Sequence, residues 1–327
     1  MKTRTDTIEN ALHTLFKKRL RIEYPLREIT SIHIGGPAHY IVMAQHEHEL
    51  LEAVRLARAY RMPYVVIGEA SNIIAEDIGF NGLVIQNRIA DCTIDKSTHS
   101  ITVGAGYNLL ALIKRINAIG LAGMERMAGI PGTIGGAIYG CAGAYGQEIK
   151  DCLHHVQIYD GRTVRWLTRD ACMFRYRSSI FKKKKNWIIL AATFTYTHAH
   201  PAALKKISRD TIRLREKKYP RGMRCPGSFF KNLVIKMISP ASLRDEFMKK
   251  IPPEKITFGK LASGYLLEEA GAMGLAEHDI AVAAYHGNLI YNKGNGTAHD
   301  LARLVKRLKH RVQKKFGIEL SEEVQYI

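Results

Sequence analysis

Glycine is the first residue type in this chain whose spacing can do chemistry. The run Gly129-Ile130-Pro131-Gly132-Thr133-Ile134-Gly135-Gly136-Ala137 is continued by Ala142-Gly143-Ala144-Tyr145-Gly146. Glycines this dense are expected to form neither a stable helix interior nor an ordinary strand, because each costs backbone entropy and offers no side chain to pack. They do let backbone N–H groups approach a ligand, and successive N–H groups in a turn form a nest for an anion such as phosphate or pyrophosphate. A glycine-rich hairpin connection in a β-rich domain explains the composition equally well. The run has neither the GxGxxG spacing of a Rossmann turn nor the G-x-x-x-x-G-K-[ST] of a P-loop, so neither nucleotide fold is supported.

Four further segments carry polar chemistry. In Gly68-Glu69-Ala70-Ser71-Asn72 the serine and asparagine can hydrogen-bond a phosphate or a ring edge, although Gly, Ser and Asn are also ordinary turn residues. Tyr176-Arg177-Ser178-Ser179 offers a bidentate guanidinium fork for a carboxylate or a flavin, or else a surface arginine. In Pro226-Gly227-Ser228-Phe229-Phe230-Lys231-Asn232 a hydroxyl at a turn precedes two aromatics that should be buried. Ser228 there can donate a proton, act as a nucleophile, or be incidental to an aromatic anchor, and no Ser-His-Asp triad is legible. Glu322-Glu323 sits in the C-terminal tail, where acids are ordinarily solvated, and the residues alone give it no role. His33, His278 and His286 are too scattered for a metal site, so none is expected.

The elements that must position these segments are legible in part. Leu50, Leu51, Val54, Ala57 and Tyr60 fall on one face of a helix over 46–61. A strand Tyr64 to Ile67, the glycine-containing turn and a strand Leu83 to Gln86 follow it. Strands are expected at His99 to Val103, Val156 to Tyr159, Thr163 to Leu167 and Trp187 to Tyr196, with an apolar helix at Leu109 to Ile119. Past a break at Thr197 to Pro201, a basic helix runs Ala203 to Lys217 and ends at Tyr219-Pro220. The clearest helix is the last. Thr297 and Asp300 cap it, Leu301, Leu304, Val305, Leu308 and Val312 form its apolar stripe, and Gly317 stops it. A short strand, Ile318 to Leu320, is expected after it.

The chain has 327 residues, 46% of them hydrophobic, enough for two or three domains. Met1 to Leu20 is polar and lacks the apolar run of a secretory signal, and no stretch approaches the roughly 20 apolar residues of a membrane span. Five cysteines, at 92, 141, 152, 172 and 225, form no Cys-x-x-Cys pair, which fits reduced thiols in the cytoplasm. The net charge of +19 would attract any polyanion, so a basic nucleic-acid-binding protein remains an open class, as does a phosphorylated small substrate.

In this order and spacing, the segments from Ile32-His33-Ile34-Gly35-Gly36-Pro37-Ala38 to Glu323 resemble the UDP-N-acetylenolpyruvoylglucosamine reductase family of flavoenzymes. The specific motifs are Tyr176-Arg177-x-Ser179 and Gly227-Ser228-x-Phe230-Lys231-Asn232. The short link between them resembles the form of the family without an extra tyrosine-bearing loop. The resemblance implies an α+β fold, with a two-part FAD-binding region of the PCMH/vanillyl-alcohol-oxidase-like kind and a separate α+β substrate-binding domain. It implies FAD-binding subdomains over 1–86 and 87–200, the substrate domain over 201–317 and a returning strand over 318–327. It further implies reduction of the enolpyruvyl sugar nucleotide by NADPH through FAD, in peptidoglycan precursor synthesis, by a cytoplasmic monomer with no membrane insertion and no specific nucleic acid.

By the same resemblance Gly68, Ser71 and Asn72 form the first FAD-binding segment. Gly129, Gly132, Thr133, Gly135, Gly136, Gly143, Ala144 and Tyr145 form the second. Arg177 would stabilise charge developing toward the substrate carboxylate, Glu323 would polarise or position that group, and Ser228 would supply the proton. Lys231 and Asn232 would bind substrate. An FAD-dependent oxidoreductase acting on another substrate is the competing enzyme reading. Four departures from the family pattern stand out. Ala70 replaces a glycine and Cys141 an asparagine. Ala272-Met273-Gly274 lacks a lysine, which Arg224 is a candidate to replace, and Glu277-His278-Asp279 replaces a small glycine-rich turn.

Overall fold

The computed structural model describes residues 4–95 and 97–327; Met1 to Thr3, the head of the polar N-terminal stretch, and Lys96 lie outside them. The chain divides into two compact units, each assembled from separate stretches of sequence.

The first unit comprises the residues up to Tyr24 together with Ala38–Ala70 and Phe80–Pro220. Helices α1 (Arg4–Phe16) and α2 (Glu47–Ala59) accompany a four-stranded sheet in the order Leu20–Pro25, Pro37–Ala44, Phe80–Asn87, Tyr64–Ile67. Phe80–Asn87 runs parallel to both its neighbours. The expected amphipathic helix is thus slightly shorter than 46–61, and Leu50, Val54 and Ala57 of its apolar face are fully buried. Its first turn is anchored by charge: Arg19 Nη2 lies 2.5 Å from Glu49 Oε1, and Arg19 Nη1 donates to Oε2 at 2.7 Å. That fork holds the Glu49 carboxyl down at about 2, against an ordinary 4.5.

A second, five-stranded antiparallel sheet follows, ordered Val164–Thr168, Leu153–Tyr159, Ile188–Thr195, Ser100–Gly104, Cys92–Asp95. Each strand expected here is present with its ends shifted by a few residues. Helices α3 (Leu109–Ala118), α4 (Ile134–Gly140) and α5 (Pro201–Lys218) belong to this half. The basic helix α5 therefore counts with the first unit, past the boundary expected at 200. The reason is polar as well as apolar. Asn117 Nδ2 on α3 donates to Ser208 Oγ on α5 at 2.7 Å, and Ser208 Oγ donates to the Glu125 carbonyl at 3.1 Å.

The second unit comprises Pro25–Pro37, Ser71–Gly79 and Arg221–Ile327. Its core gathers Ile32, Ile74, Phe229, Phe230, Leu266, Leu304 and Leu308 among others, packed by α6 (Ala241–Met248), α7 (Ser263–Glu269) and α8 (Ala298–Phe316). A three-stranded antiparallel sheet is ordered Ala276–Glu277, Ile280–Ala283, His286–Asn292. The capping box of Thr297 and Asp300 and the left-handed Gly317 (φ 74°) bound α8 as expected.

Two expectations need correction. Ile318 to Leu320 is not a strand; Ile318 and Leu320 are buried anchors, and the tail pairs further on, Glu322 opposite Phe230 in an antiparallel bridge and Gln325–Tyr326 parallel to Ile73–Ile74. The glycine run does enter a helix: α4 spans seven residues behind an N-cap Thr133, whose Oγ1 accepts from the Gly136 N–H at 3.3 Å. Tertiary packing overrides the weak propensity, since Ile134 and Ile138 are fully buried.

Candidate active site

In the first unit the two glycine segments meet. A Cβ at Gly68 would be driven into the Thr133 side chain, so the strand-end turn and the start of α4 touch only because residue 68 is glycine. Asn108 braces the same corner. Its Nδ2 donates to Glu69 Oε1 at 2.9 Å while its Oδ1 accepts the Ala111 N–H and caps α3. The glycine run divides its labour. The N–H groups of Ile134 and Gly135 are bound to the carbonyls of Tyr107 and Ala105, and the Gly129 carbonyl accepts from Arg215 Nε at 3.0 Å. The Ile134 and Gly135 N–H groups are thus engaged within the fold. A side chain at Gly140 would meet nothing within 4 Å among the described residues, and Gly136 is exposed.

Gly143 and Ala144 pair with Glu148 and Gln147 in a hairpin. Its tip is Tyr145-Gly146, both at positive φ (51° and 84°). The hairpin reading describes this second part of the run.

Arg177 sits at the second central position of a tight turn closed by two 3.0 Å hydrogen bonds between Arg175 and Ser178. Its φ of 51° belongs to the left-handed region that glycine and asparagine occupy readily and arginine does not. Strain of this kind persists where the surroundings over-determine it. Here they do: Nη1 donates to the Cys141 carbonyl at 3.1 Å and Nη2 to the Gly143 carbonyl at 2.6 Å, while Ser179 Oγ donates to the Tyr139 carbonyl at 2.7 Å. The guanidinium is locked to the backbone of the glycine segment through both terminal nitrogens.

In the second unit, a strap of chain carrying Ser228, Lys231 and Asn232 meets the tail at Glu323, which Asn72 reaches from a third segment. Ser228 follows Gly227 (φ 85°) and stands opposite Leu289 in an antiparallel bridge. Phe229 and Phe230 are fully buried, edge to face at 5.1 Å, so the residue before them is held at a fixed point. The tail crosses the strap. The Glu323 N–H donates to the Phe229 carbonyl at 2.8 Å, and the Lys231 N–H to the Ser321 carbonyl at 2.9 Å. Asn72 Nδ2 donates to the Glu323 carbonyl at 3.2 Å, and Asn232 Oδ1 accepts the Ser263 N–H at 3.3 Å. Ser71 and Asn72 thus count with the second unit, whereas Gly68 counts with the first.

Glu323 is the functional candidate that residue types alone would discard. A signal was present: Ile318, Leu320 and Val324 in the tail are apolar, and all are buried against the second core. The departures also find local accounts. Glu277 pairs with Arg303 at 2.7 Å and Arg307 at 2.9 Å on α8, so its charge is met within the unit. Arg224 Nη1 donates to the Gly294 carbonyl at 3.2 Å. Ala70 and Cys141 both adopt positive φ (53° and 47°), the conformation for which glycine and asparagine are suited. Burial pushes the Cys141 thiol up to about 11. Among the described residues no group of three or more His, Cys, Asp and Glu could hold a metal ion, and no helix is long and apolar enough to cross a membrane.

A family model for an FAD binding domain matches residues 38–166, and one for the C-terminal domain of UDP-N-acetylenolpyruvoylglucosamine reductase matches 219–327. The chain is 41% identical to the UDP-N-acetylenolpyruvoylglucosamine reductase of Solibacter usitatus, over 93% of its own length and 95% of the relative's. It is 31% identical to that of Anoxybacillus flavithermus over 91% of each. The crystal structure of the reductase from Thermus caldophilus superposes with a TM-score of 0.71, at 26% identity, over 94% of this chain and 99% of that one.

Proposed function

Because the chain belongs to the UDP-N-acetylenolpyruvoylglucosamine reductase family, we propose that it reduces UDP-N-acetylglucosamine enolpyruvate to UDP-N-acetylmuramate with NADPH, a step of peptidoglycan precursor synthesis. FAD, when bound, supplies the hydride that NADPH provides. The first unit fits that cofactor. Gly68 has no room for a Cβ, Gly136 is exposed and Gly140 is unobstructed, which is the surface a dinucleotide pyrophosphate needs in order to approach backbone. Gly68, Gly132, Thr133, Gly136 and Gly143 to Tyr145 would hold it.

The chain's own residues do the rest. Hydride addition to the enolpyruvyl double bond builds negative charge toward the substrate carboxylate. The Arg177 guanidinium, fixed in advance by its two carbonyl partners, stabilises that charge without reorganising, an effect usually worth several kcal/mol. Ser228 donates the proton that completes the reduction, a task that needs geometry more than an altered acidity. Glu323 orients the same group, and Lys231 and Asn232 bind the uridine diphosphate. The observation that carries this reading is the Glu323 N–H bond to the Phe229 carbonyl, which brings the tail acid to the residue after Ser228. The enzyme acts as a cytoplasmic monomer; five cysteines in the reduced state, three of them buried, support the reducing compartment.

Purified protein reconstituted with FAD is expected to be yellow and to oxidise NADPH beyond the one equivalent that reduces the flavin only when the enolpyruvyl sugar nucleotide is present. Turnover of NADPH that ignores this substrate and follows another acceptor would overturn the reading.

A further inference from the structure

Resting on the reading of Ser228 as proton donor, we infer that Asn288 is its positioning residue. The strap 228–232 has the strand His286–Asn292 on one side and the tail on the other. Ser228 stands in register with Leu289, and the Phe229 N–H still reaches the Asn288 backbone carbonyl at 3.2 Å. At Phe230 that main-chain pairing gives way to a side chain. Asn288, only 2% exposed, accepts the Phe230 N–H on Oδ1 at 2.8 Å. Its Nδ2 donates to the Phe230 carbonyl at 2.8 Å and to Ser263 Oγ at 2.8 Å.

The side-chain amide therefore does what a peptide unit of a paired strand does, with a donor and an acceptor on one plane. Its orientation is not ambiguous, because the Phe230 N–H can be met only by oxygen and its carbonyl only by the amide nitrogen. Proton counting closes as well. Both Nδ2 hydrogens are used, and the single Ser263 hydroxyl hydrogen goes to the Phe230 carbonyl at 3.2 Å. Ser263 also donates its backbone N–H to Asn232 Oδ1, a bond that a side-chain change at 288 or 263 leaves in place. No member is ionisable. Such a network holds one arrangement firmly when every partner is present and poorly when one is removed.

Asn288 touches neither cofactor nor substrate in this account; it sets where the Ser228 hydroxyl points. A misplacement of about 1 Å at a reacting group costs on the order of 10²-fold. The test is a double-mutant cycle on FAD-loaded enzyme by rapid mixing, comparing wild type, Asn288→Ala, Ser228→Ala and the double variant. Alongside it, hydrogen exchange is measured at the Phe230 amide.

In Asn288→Ala, reoxidation by the enolpyruvyl substrate is expected to slow about 10- to 100-fold per reducible flavin, while reduction by NADPH stays within about twofold and Phe230 exchange accelerates. The double variant is expected to be no slower than Ser228→Ala, because Asn288 acts only through Ser228. Additive losses, or wild-type reoxidation in Asn288→Ala, would overturn the inference. A Ser228→Ala variant that reoxidises at the wild-type rate would instead sink the underlying reading, and this one with it. Should Asn288→Ala not fold, Ser263→Ala, which removes one partner of the cluster, takes its place in the same cycle with the same signs expected.

Discussion

The two units prepare their chemistry by opposite means. In the first, the candidate positions are made by taking side chains away or by bending the backbone: Gly68 against Thr133, positive φ at Ala70, Cys141, Tyr145 and Arg177, and a guanidinium tied to two carbonyls. In the second, buried side chains, Asn288 and Ser263, hold at Phe230 a strap whose own side chains are the ones proposed to act. The contrast follows from what each is asked to bind. A phosphate-bearing cofactor is met by main chain at close range, where a Cβ obstructs. A proton donor must be one side chain at one place.

The largest effect should come from the second unit. Ser228→Ala is expected to leave flavin reduction by NADPH near the wild-type rate and to slow reoxidation by the enolpyruvyl substrate by roughly 10²- to 10⁴-fold, the usual cost of losing a positioned proton donor. Stopped-flow absorbance separates the two phases. Reoxidation within about threefold of wild type, far below that range, would reduce the Phe229-Phe230 strap to a structural anchor.

The next effect uses acid to separate the units. The Asn288 cluster is neutral, whereas α2 of the first unit is anchored by the Arg19–Glu49 pair. The Glu49 carboxyl is depressed in the folded state from 4.5 to about 2. Its contribution is therefore complete above its ordinary value and is lost as pH falls from about 5 through about 2. The lost term is on the order of 3 kcal/mol. Urea unfolding across that window should show Glu49→Gln losing stability to acid less steeply than wild type. Parallel profiles for the two proteins would remove Glu49 from the account.

The smallest effects test the backbone argument in the first unit, with a pair of opposite signs. Gly68→Ala drives a methyl into Thr133 and should cost about 1–3 kcal/mol, as overpacking does. Ala70→Gly relieves a left-handed alanine worth about 1–2 kcal/mol while giving up a buried methyl worth about 0.8 kcal/mol, for a net gain below about 1 kcal/mol. Thermal melts of the two variants are the measurement. A destabilised Ala70→Gly would mean that packing, and not φ, dictates residue 70.

What the sequence disclosed depends on how local each signal was. Helix α8 was readable because cap, stripe and stop lie within one contiguous segment, Thr297 to Gly317. The Tyr64–Ile67 strand was readable from its bounding turns. Helix α4 was not, since its cause is the burial of Ile134 and Ile138 against distant residues, which outweighs the glycine penalty. The turn of Arg177 and the strap of Ser228 were legible as motifs, but the fork's partners, Cys141 and Gly143, lie in another segment of the chain. Glu323 was the hardest. The apolar residues around it, Ile318, Leu320 and Val324, signal that the tail is buried but not against what, and its partners Phe229 and Asn72 lie in distant segments.

The second unit is interleaved with the first along the sequence: Pro25–Pro37 and Ser71–Gly79 belong to it, yet the bulk of it begins at Arg221. On the ribosome these early stretches emerge long before Gln325–Tyr326 arrives to pair with Ile73–Ile74. They must wait, uncovered, for most of the time the chain takes to be made. Closing so long a loop is slow, and exposed apolar segments such as Ile32 to Ile34 are what chaperones bind. Yield in a cell should accordingly be set by the interval between making the first of these segments and the last, more than by the stability of the finished fold.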